Sequence, residues 1–285
     1  MRVYIIQVSV PADHFSTNAE KCNMNLIFLG DVVGKGGRNA VTRILPELKR
    51  EFNAQFAVVN GENSAAGAGL SASCVRDLLT VAEVVTGGDH TWDQKEFPKE
   101  IVALDRMVRP ANFSLRHPGK GMGIFQHPGS GEVAVISLVG KVFMKDSAYC
   151  PFETVEKLLT QVPSRVKTIV VDFHAEATSE KLAMGHFLDG KVTAVFGTHT
   201  HVQTADAKVL PGGTAYITDA GMCGADASVL GREIPAVLEK FTIGLPNRLP
   251  VVEKGTFRVD GAAVSYDHLT GKALKITPFS RLIEI

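Results

Sequence analysis

Apolar and polar positions along the chain alternate between short hydrophobic runs, glycine-rich turns and stretches with helical spacing. Short hydrophobic runs indicate buried strands. They predict strands at 26–30 and 168–174, strands with their turns at 56–63 and 84–90, and a strand from Val192 that ends at Gly197. Apolar residues three and four positions apart predict helices over Gly36–Phe52 and Leu70–Val81, and a further helix that begins at Trp92.

This order of elements predicts an α/β sandwich with largely parallel strands, because strands alternate with helices. Met122–Val139 and the tail from Thr256 have the pattern of hairpin strands, so we expect the sheets to be mixed. No internal repeat, low-complexity segment or linker interrupts the pattern. We therefore predict one domain over residues 24–285.

Residues 1–23 differ from the rest of the chain. The apolar string VYIIQVSV is short, is interrupted by Gln7 and is followed by no A-x-A cleavage site, which makes it a weak secretory signal. The polar residues after it show no period. We interpret this stretch as an N-terminal extension of doubtful structure and Met24 as a candidate true start, which an intact-mass measurement on native protein would test.

The charge balance, the cysteine spacing and the length of the apolar runs limit the kinds of protein that this chain can be. The 285 residues carry 30 Lys and Arg against 30 Asp and Glu, so a broad nucleic-acid-binding surface is not expected. The four cysteines contain no C-x-x-C pair, which is typical of a reducing compartment such as the cytoplasm. No apolar run approaches the roughly 20 residues that a membrane span needs.

Candidate chemistry begins at the end of the strand that starts at Val192. His199 and His201 follow Gly197 and are separated by one threonine. In an extended chain, residues two apart point to the same face, so both imidazoles are expected to project together. Paired imidazoles favour a metal site, with structural histidines as the alternative.

Metal-ligating side chains follow the other predicted strands as well. They are Asp31, then Glu62 and Asn63, then Asp89 and His90, and finally His174. Ligands gather at the carboxyl ends of strands in α/β sheets, so we expect these turns to converge with His199 and His201. Taken singly, each residue has an ordinary alternative as a turn or capping residue. A mixed set of oxygen donors and imidazoles fits Fe, Mn or Zn.

Other site types are poorly supported by the motifs. The string GDVVGKGGR lacks the spacing of a Walker A loop, because Gly30 and Gly34 have three residues between them and Lys35 is followed by Gly36. The same string lacks G-x-G-x-x-G, and no G-x-S-x-G indicates a serine nucleophile.

The motifs resemble those of a known family. The strings GDVVGKGGR, NGENSAAGAG, GGDHTWD, DFHAEATSEK and GTHTHVQTAD are similar to those of the YmdB-like branch of the calcineurin-like metallophosphoesterases, a group of bacterial phosphodiesterases. The resemblance extends from Met24 to the C-terminus. It implies a four-layer α/β/β/α sandwich of two mixed sheets, with a two-metal centre between the sheets.

The resemblance also implies the role of each donor. One divalent ion is expected on Asp31, Asn63 and His201. The second is expected on Asp89, His174 and His199. Glu62 would bridge the two ions, and His90 matches the position of the proton donor. Fe or Mn is favoured, with Zn as an alternative.

One position departs from the family pattern. The family usually has Gly-Asn-His where this chain has Gly88-Asp89-His90. The carboxylate keeps an oxygen donor and adds a negative charge, which should tighten metal binding and weaken attraction for a phosphate anion. We expect Asp89→Asn to keep or raise activity.

The implied activity is the opening of 2′,3′-cyclic nucleotides by a phosphodiesterase. Two divalent ions about 3.5–4 Å apart can share a hydroxide that attacks phosphorus in line with the leaving oxygen. His90 would protonate the leaving alkoxide, which is worth about 10²–10⁴-fold in rate. The alternatives are a broad phosphomonoesterase or nucleotidase, and a regulatory protein that acts through an RNA-processing partner. The oligomeric state stays open, with a homo-oligomer among the alternatives.

Three charged residues near the donors have open roles. Asp172 and Glu176 flank His174, and either can orient an imidazole. A surface charge or a helix-start residue is the alternative, and we favour it for Glu176. Arg38 is a candidate phosphate contact by its closeness to Asp31, but its place in the first turn of a helix favours a solvent-facing position.

Overall fold

A computed structural model describes residues 23–127, 131–144 and 148–285 of the chain. The predicted N-terminal extension therefore lies outside the described residues, except for Asn23. The strands in chain order are β1 (Asn23–Leu29), β2 (Asp31–Val32), β3 (Phe56–Asn60), β4 (Val84–Thr86), β5 (Met107–Val108), β6 (Met122–His127), β7 (Gly131–Val139), β8 (Thr168–His174), β9 (Ala194–Thr198), β10 (Lys208–Val209), β11 (Ala215–Ile217), β12 (Met222–Ala225), β13 (Thr256–Asp267) and β14 (Ala273–Glu284).

Two mixed sheets contain these strands. The first has eight strands in the order β2-β12-β13-β1-β3-β4-β5, with β14 paired to β13. Within it β1, β3, β4 and β5 are parallel, whereas β13 runs antiparallel to β1 and to β14. The second has six strands in the order β10-β11-β9-β8-β7-β6. Both predicted hairpins are present, since β6 pairs antiparallel with β7 and β13 with β14.

All of the helices in the described residues except the last cover the outer face of a sheet, and residues of the last helix belong to neither outer core. The helices are α1 (Gly34–Glu51), α2 (Ala72–Leu78), α3 (Phe97–Glu100), α4 (Pro151–Leu159), α5 (Thr178–Leu188) and α6 (Ile234–Ile243). In α1, Val41, Leu45 and Leu48 recur at helical spacing and pack in the core that covers the first sheet. Residues of α4 and α5 pack in a separate core on the second sheet.

The inner faces of the two sheets pack against each other. Alternate residues of facing strands form this core, and Phe28 of β1 stacks on Phe196 of β9 with ring centroids 4.4 Å apart. The layers are therefore α/β/β/α, which confirms the predicted fold class. No helix within the described ranges has the length and apolar character needed to cross a membrane.

The prediction of a helix that begins at Trp92 is wrong. Asp89–Trp92 instead forms a 3-10 helix, and a separate short α-helix, α3, follows at Phe97–Glu100. The break has a local cause, because Pro98 has no backbone N–H and is accommodated in the first turn of a helix. The 3-10 turn places Asp89 and His90 directly after β4.

Candidate metal centre

The carboxyl ends of five parallel strands meet along one edge of the sandwich. Gly30, at the end of β1, leads into Asp31, the first residue of β2, and the turn after β3 carries Glu62 and Asn63. These three side chains are buried. The Asn60 side chain fixes the β3 turn by accepting a hydrogen bond from the Glu62 backbone N–H at 3.1 Å. The predicted convergence of strand ends is therefore present in the fold.

Asp89, His174 and His199 form the first group of donors. Their ligand atoms lie within 4.8 Å of one another. His174 Nε2 is 3.0 Å from Asp89 Oδ1 and 3.0 Å from His199 Nδ1. The two imidazole rings meet edge to face at 4.8 Å. This is the set that the resemblance implies for one metal ion.

Asp31, Glu62 and His201 form the second group, also within 4.8 Å. Asn63 lies next to this second group. Its Nδ2 is 3.2 Å from His201 Nε2 and also contacts Glu62 Oε1. Glu62 faces both groups, since its Oε2 lies 3.3 Å from His174 Nε2. The structure thus brings together all seven side chains that the sequence nominated as ligands.

Gly88 makes room for this approach. A Cβ at this position would overlap Glu62 Oε2 and would lie 2.7 Å from the ring carbons of His174. Any larger residue would therefore push apart the carboxylate and the imidazole. The glycine before Asp89 is required by the close packing of the two groups.

The His199–His201 turn differs from the extended geometry that was predicted. β9 ends at Thr198, and His199 and His201 both have positive φ, at 101° and 64°. The two imidazoles consequently enter different donor groups, which is the division that the resemblance implies. Non-glycine residues in this region carry a strain of about 1–3 kcal/mol each, and such strain is retained where the surroundings hold it.

The buried carboxylate of Asp219 stabilises the His199–His201 turn. Its Oδ2 accepts hydrogen bonds from Thr200 N at 3.0 Å and Thr200 Oγ1 at 2.7 Å. The same oxygen is 2.7 Å from Lys181 Nζ, and both members of this ion pair are buried. Neither residue stands out in the sequence, because a lysine on a helix and an aspartate after a strand are common surface features.

The donor set suits cations. Asp31 Oδ1 is buried and has no hydrogen-bond partner among the described residues, so it is free to bind a positive charge. Burial raises the pKa of Asp31 and, together with the Asp31 and Asp89 charges, raises the pKa of Glu62 well above its usual value. Crowded buried carboxylates of this kind are stabilised by a bound metal.

Two of the three imidazoles are held in the neutral form that binds metals. Burial lowers the pKa of His174 and lowers the pKa of His201 to about 4, so both are neutral near pH 7. Burial also opposes charge on His199, but the hydrogen bond and charge of Asp89 outweigh this and raise the pKa of His199, so a metal ion would have to displace its proton. Burial also opposes charge on Asp89, but its hydrogen bonds with His174 and His199 outweigh this and hold its pKa below the usual value. Asp89 is therefore a carboxylate.

Two carboxylates position the imidazoles. Asp172 is buried and accepts a hydrogen bond from Thr198 Oγ1 at 2.8 Å, and that hydroxyl is 2.9 Å from His174 Nδ1. Glu176 Oε2 is 3.0 Å from His199 Nε2. Glu176 is half exposed, in agreement with the surface charge that was one of its two alternatives, but it does not start α5, which begins at Thr178, and its side chain contacts the site.

Arg38 does not face solvent as expected. Its side chain is 13% exposed, its Nε pairs with Asp77 at 3.2 Å, and it donates to the Ser64 carbonyl. The ion pair joins α1 to α2, and the bond to Ser64 holds the loop after β3. The Arg38 guanidinium is thus held by contacts within the protein instead of pointing into solvent.

His90 lies at the rim of the centre. Its backbone N–H donates to Glu62 Oε2 at 3.2 Å, and its Nδ1 is 2.8 Å from Asp93 Oδ2. A cavity of about 260 Å³ is lined by Glu62, Asn63, His90, His199 and His201 on its polar side. His90 is one-third exposed, so the ring is accessible from this cavity.

The chain is similar to proteins of one family. Residues 27–279 match the family described as YmdB-like protein. The chain is 44% identical over 254 residues to the 2′,3′-cyclic-nucleotide 2′-phosphodiesterase of Bacillus subtilis (strain 168), which covers 89% of this chain and 95% of that protein.

Two crystal structures are similar over nearly the whole chain. One is a novel phosphatase from Mycoplasma pneumoniae, with a TM-score of 0.84 and 34% identity, covering 92% of this chain and 94% of that one. The other is a hypothetical protein from Thermus thermophilus, with a TM-score of 0.82 and 35% identity, covering 91% of this chain and 99% of that one.

Proposed function

The chain belongs to the YmdB-like family, as its motifs predicted, and on that premise we propose that it is an enzyme that hydrolyses 2′,3′-cyclic nucleotides. The observation that carries the proposal is the pair of donor groups that share Glu62 and face one cavity. This arrangement suits two cations and one phosphate ester. The Bacillus subtilis relative supplies the substrate class by its name.

Each donor has a proposed role. Asp31, Asn63 and His201 would hold one divalent ion, Asp89, His174 and His199 would hold the other, and Glu62 would serve both. Fe or Mn is the proposed metal, with Zn as the alternative. When bound, such a pair supplies an acidified water as nucleophile and offsets charge on the phosphoryl oxygens. Asp172, through Thr198, and Glu176 orient His174 and His199.

His90 is the proposed general acid. Asp93 engages its Nδ1 at 2.8 Å, which fixes the ring and directs Nε2 to the leaving oxygen. The proton passes from His90 to the leaving 2′-oxygen of the nucleotide as the phosphorus–oxygen bond breaks, which avoids a high-energy alkoxide.

A phosphomonoesterase is the second candidate, because the Mycoplasma pneumoniae structure is named a phosphatase. A purely regulatory role through an RNA-processing partner is the third. A complete donor set beside an accessible His90 favours chemistry over that role. A His90→Ala protein that kept the cellular role would favour the partner.

The test is a substrate panel on purified protein loaded with Mn²⁺ or Fe²⁺. We expect hydrolysis of 2′,3′-cAMP in preference to 3′,5′-cAMP and to p-nitrophenyl phosphate. Activity on monoesters alone would refute the proposal and support the second candidate.

The His90→Gln variant tests the proton donor. We expect it to lose about 10²–10⁴-fold in kcat on 2′,3′-cAMP. It should lose much less on bis(p-nitrophenyl) phosphate, whose leaving group needs no proton. Equal losses on both substrates would contradict the role of general acid.

A further inference from the structure

One helix beside the centre exposes apolar side chains. In α6, Val237 is buried, whereas Phe241 is 79% exposed and Leu238 is 55% exposed. Exposed aromatic residues at the rim of a cavity commonly mark a binding surface. Phe241 is therefore accessible to a ligand that enters the cavity beside it.

Phe241 lines the same cavity as the metal donors. The apolar side chains of its lining, here called the apolar wall, are Val229, Leu230, Val237, Phe241 and Leu249, and donor side chains line the same cavity. Arg232 also lines the cavity, and its guanidinium donates to the Leu249 carbonyl at 2.8 Å and to the Gly67 carbonyl. This link keeps the loop after β3 next to the segment after α6.

The lining of the cavity combines two kinds of group. Metal-ligating side chains suit a phosphate, and an aromatic ring with aliphatic side chains suits an apolar part of the same ligand. Its volume of about 260 Å³ is slightly below the common range for small-ligand pockets, about 300–1,000 Å³. This size suits a single nucleotide better than a polynucleotide chain.

We propose that this wall is the nucleobase subsite of the enzyme, with Phe241 as the stacking platform for the base. The proposal rests on the proposed function and extends it to substrate recognition. Stacking tolerates every base, because each has a π face. The subsite therefore distinguishes nucleotides from other cyclic phosphodiesters without strong preference among the four bases.

The test compares substrates that differ only in the base. These are 2′,3′-cAMP and ribose 2′,3′-cyclic phosphate. Phe241→Ala should lower kcat/KM on 2′,3′-cAMP by roughly 5- to 150-fold, mainly through KM, and leave the base-free substrate within about twofold. Phe241→Trp, which keeps an aromatic ring at this position, should retain the activity on 2′,3′-cAMP that Phe241→Ala loses. Leu238→Ala is the matched control on the same helix and should leave both substrates unchanged.

Three outcomes would overturn the subsite. The first is an equal loss on both substrates in Phe241→Ala. The second is an equal loss in Leu238→Ala and Phe241→Ala. The third is a fall in oligomeric state in Phe241→Ala, measured by light scattering, which would assign this face of α6 to contact between copies of the chain.

Calorimetry separates the subsite from the reaction. The wild type and Phe241→Ala are titrated with 3′-AMP and with ribose 3-phosphate. The protein could hydrolyse neither cyclic substrate and still bind 3′-AMP more tightly than ribose 3-phosphate. If Phe241→Ala abolished that difference in binding, the result would support the subsite and refute only the proposed reaction. Equal binding of the two ligands by the wild type would refute the subsite.

Discussion

The buried ion pair beneath the His199–His201 turn offers a direct test of how the centre is held. Lys181 of α5 is 1% exposed and Asp219 is fully buried, with 2.7 Å between Nζ and Oδ2. Asp219 also accepts bonds from Thr200 and from the Gly221 backbone N–H. The ion pair therefore links the His199–His201 turn to α5 and to the second sheet.

Lys181→Met is the perturbation, since it keeps the apolar stem and removes the charge. Breaking one partner of a buried pair usually costs about 3–5 kcal/mol. Three N–H and O–H donors still bind the Asp219 carboxylate, so we expect the lower end, about 3 kcal/mol of unfolding free energy. For a chain of this size the loss lowers Tm by about 6–12 °C.

The variant should also bind metal less tightly. A less firmly held Asp219 allows the strained backbone of His199 and His201 to relax, and we expect the affinity for Mn²⁺ to fall by about tenfold. Calorimetric unfolding of the metal-free protein and a Mn²⁺ titration measure the two effects. Lys157→Met on the exposed face of α4 is the control and should change stability by about 0.5 kcal/mol or less.

Two results would refute the reasoning. A Lys181→Met protein within about 1 kcal/mol of wild type would mean that Asp219 is held well enough by its other donors. A large loss of stability with unchanged Mn²⁺ affinity would mean that the ion pair stabilises the fold without supporting the turn.

The other predictions concern the charge of the centre. Asp89→Asn should keep or raise kcat on 2′,3′-cAMP and should weaken Mn²⁺ binding, because the variant loses a carboxylate that His174 holds in its ionised form. Complete loss of activity in Mn²⁺-saturated protein would contradict this prediction. Mn²⁺ affinity should fall as pH falls, since the raised pKa values of Asp31, Glu62 and His199 mean that the cation must displace protons, at about tenfold per pH unit for each proton displaced. Calorimetric titrations between pH 5.5 and 8 measure this dependence, and His201, with a pKa of about 4, should not contribute; a constant affinity would contradict it.

The strand ends and their donors were predictable from the sequence for a physical reason. Parallel strands in a buried sheet read as apolar runs, and the residues that follow them must lie at one edge. Asp31, Glu62 and His174 each follow or end such a run. Local pattern was therefore enough to bring the candidate donors together, although it carried no information on distances.

The supporting residues were not predictable in the same way. Lys181 and Asp219 are 38 positions apart, and nothing near either residue indicates that the other neutralises it. Glu176 has the appearance of a residue before a helix, and its contact with His199 depends on the backbone leaving β9 in a left-handed conformation. Tertiary packing selects these contacts.

The origin of the donors explains why the distances depend on the whole fold. Asp31, Glu62, Asn63 and Asp89 follow strands of the first sheet, whereas His174, His199 and His201 come from strands of the second. Carboxylates and imidazoles therefore meet only when the two sheets are docked, at a separation set by inner-core contacts such as the Phe28–Phe196 stack. A cation held by both sets binds the docked form alone, so its binding energy adds to the stability of the sheet–sheet interface.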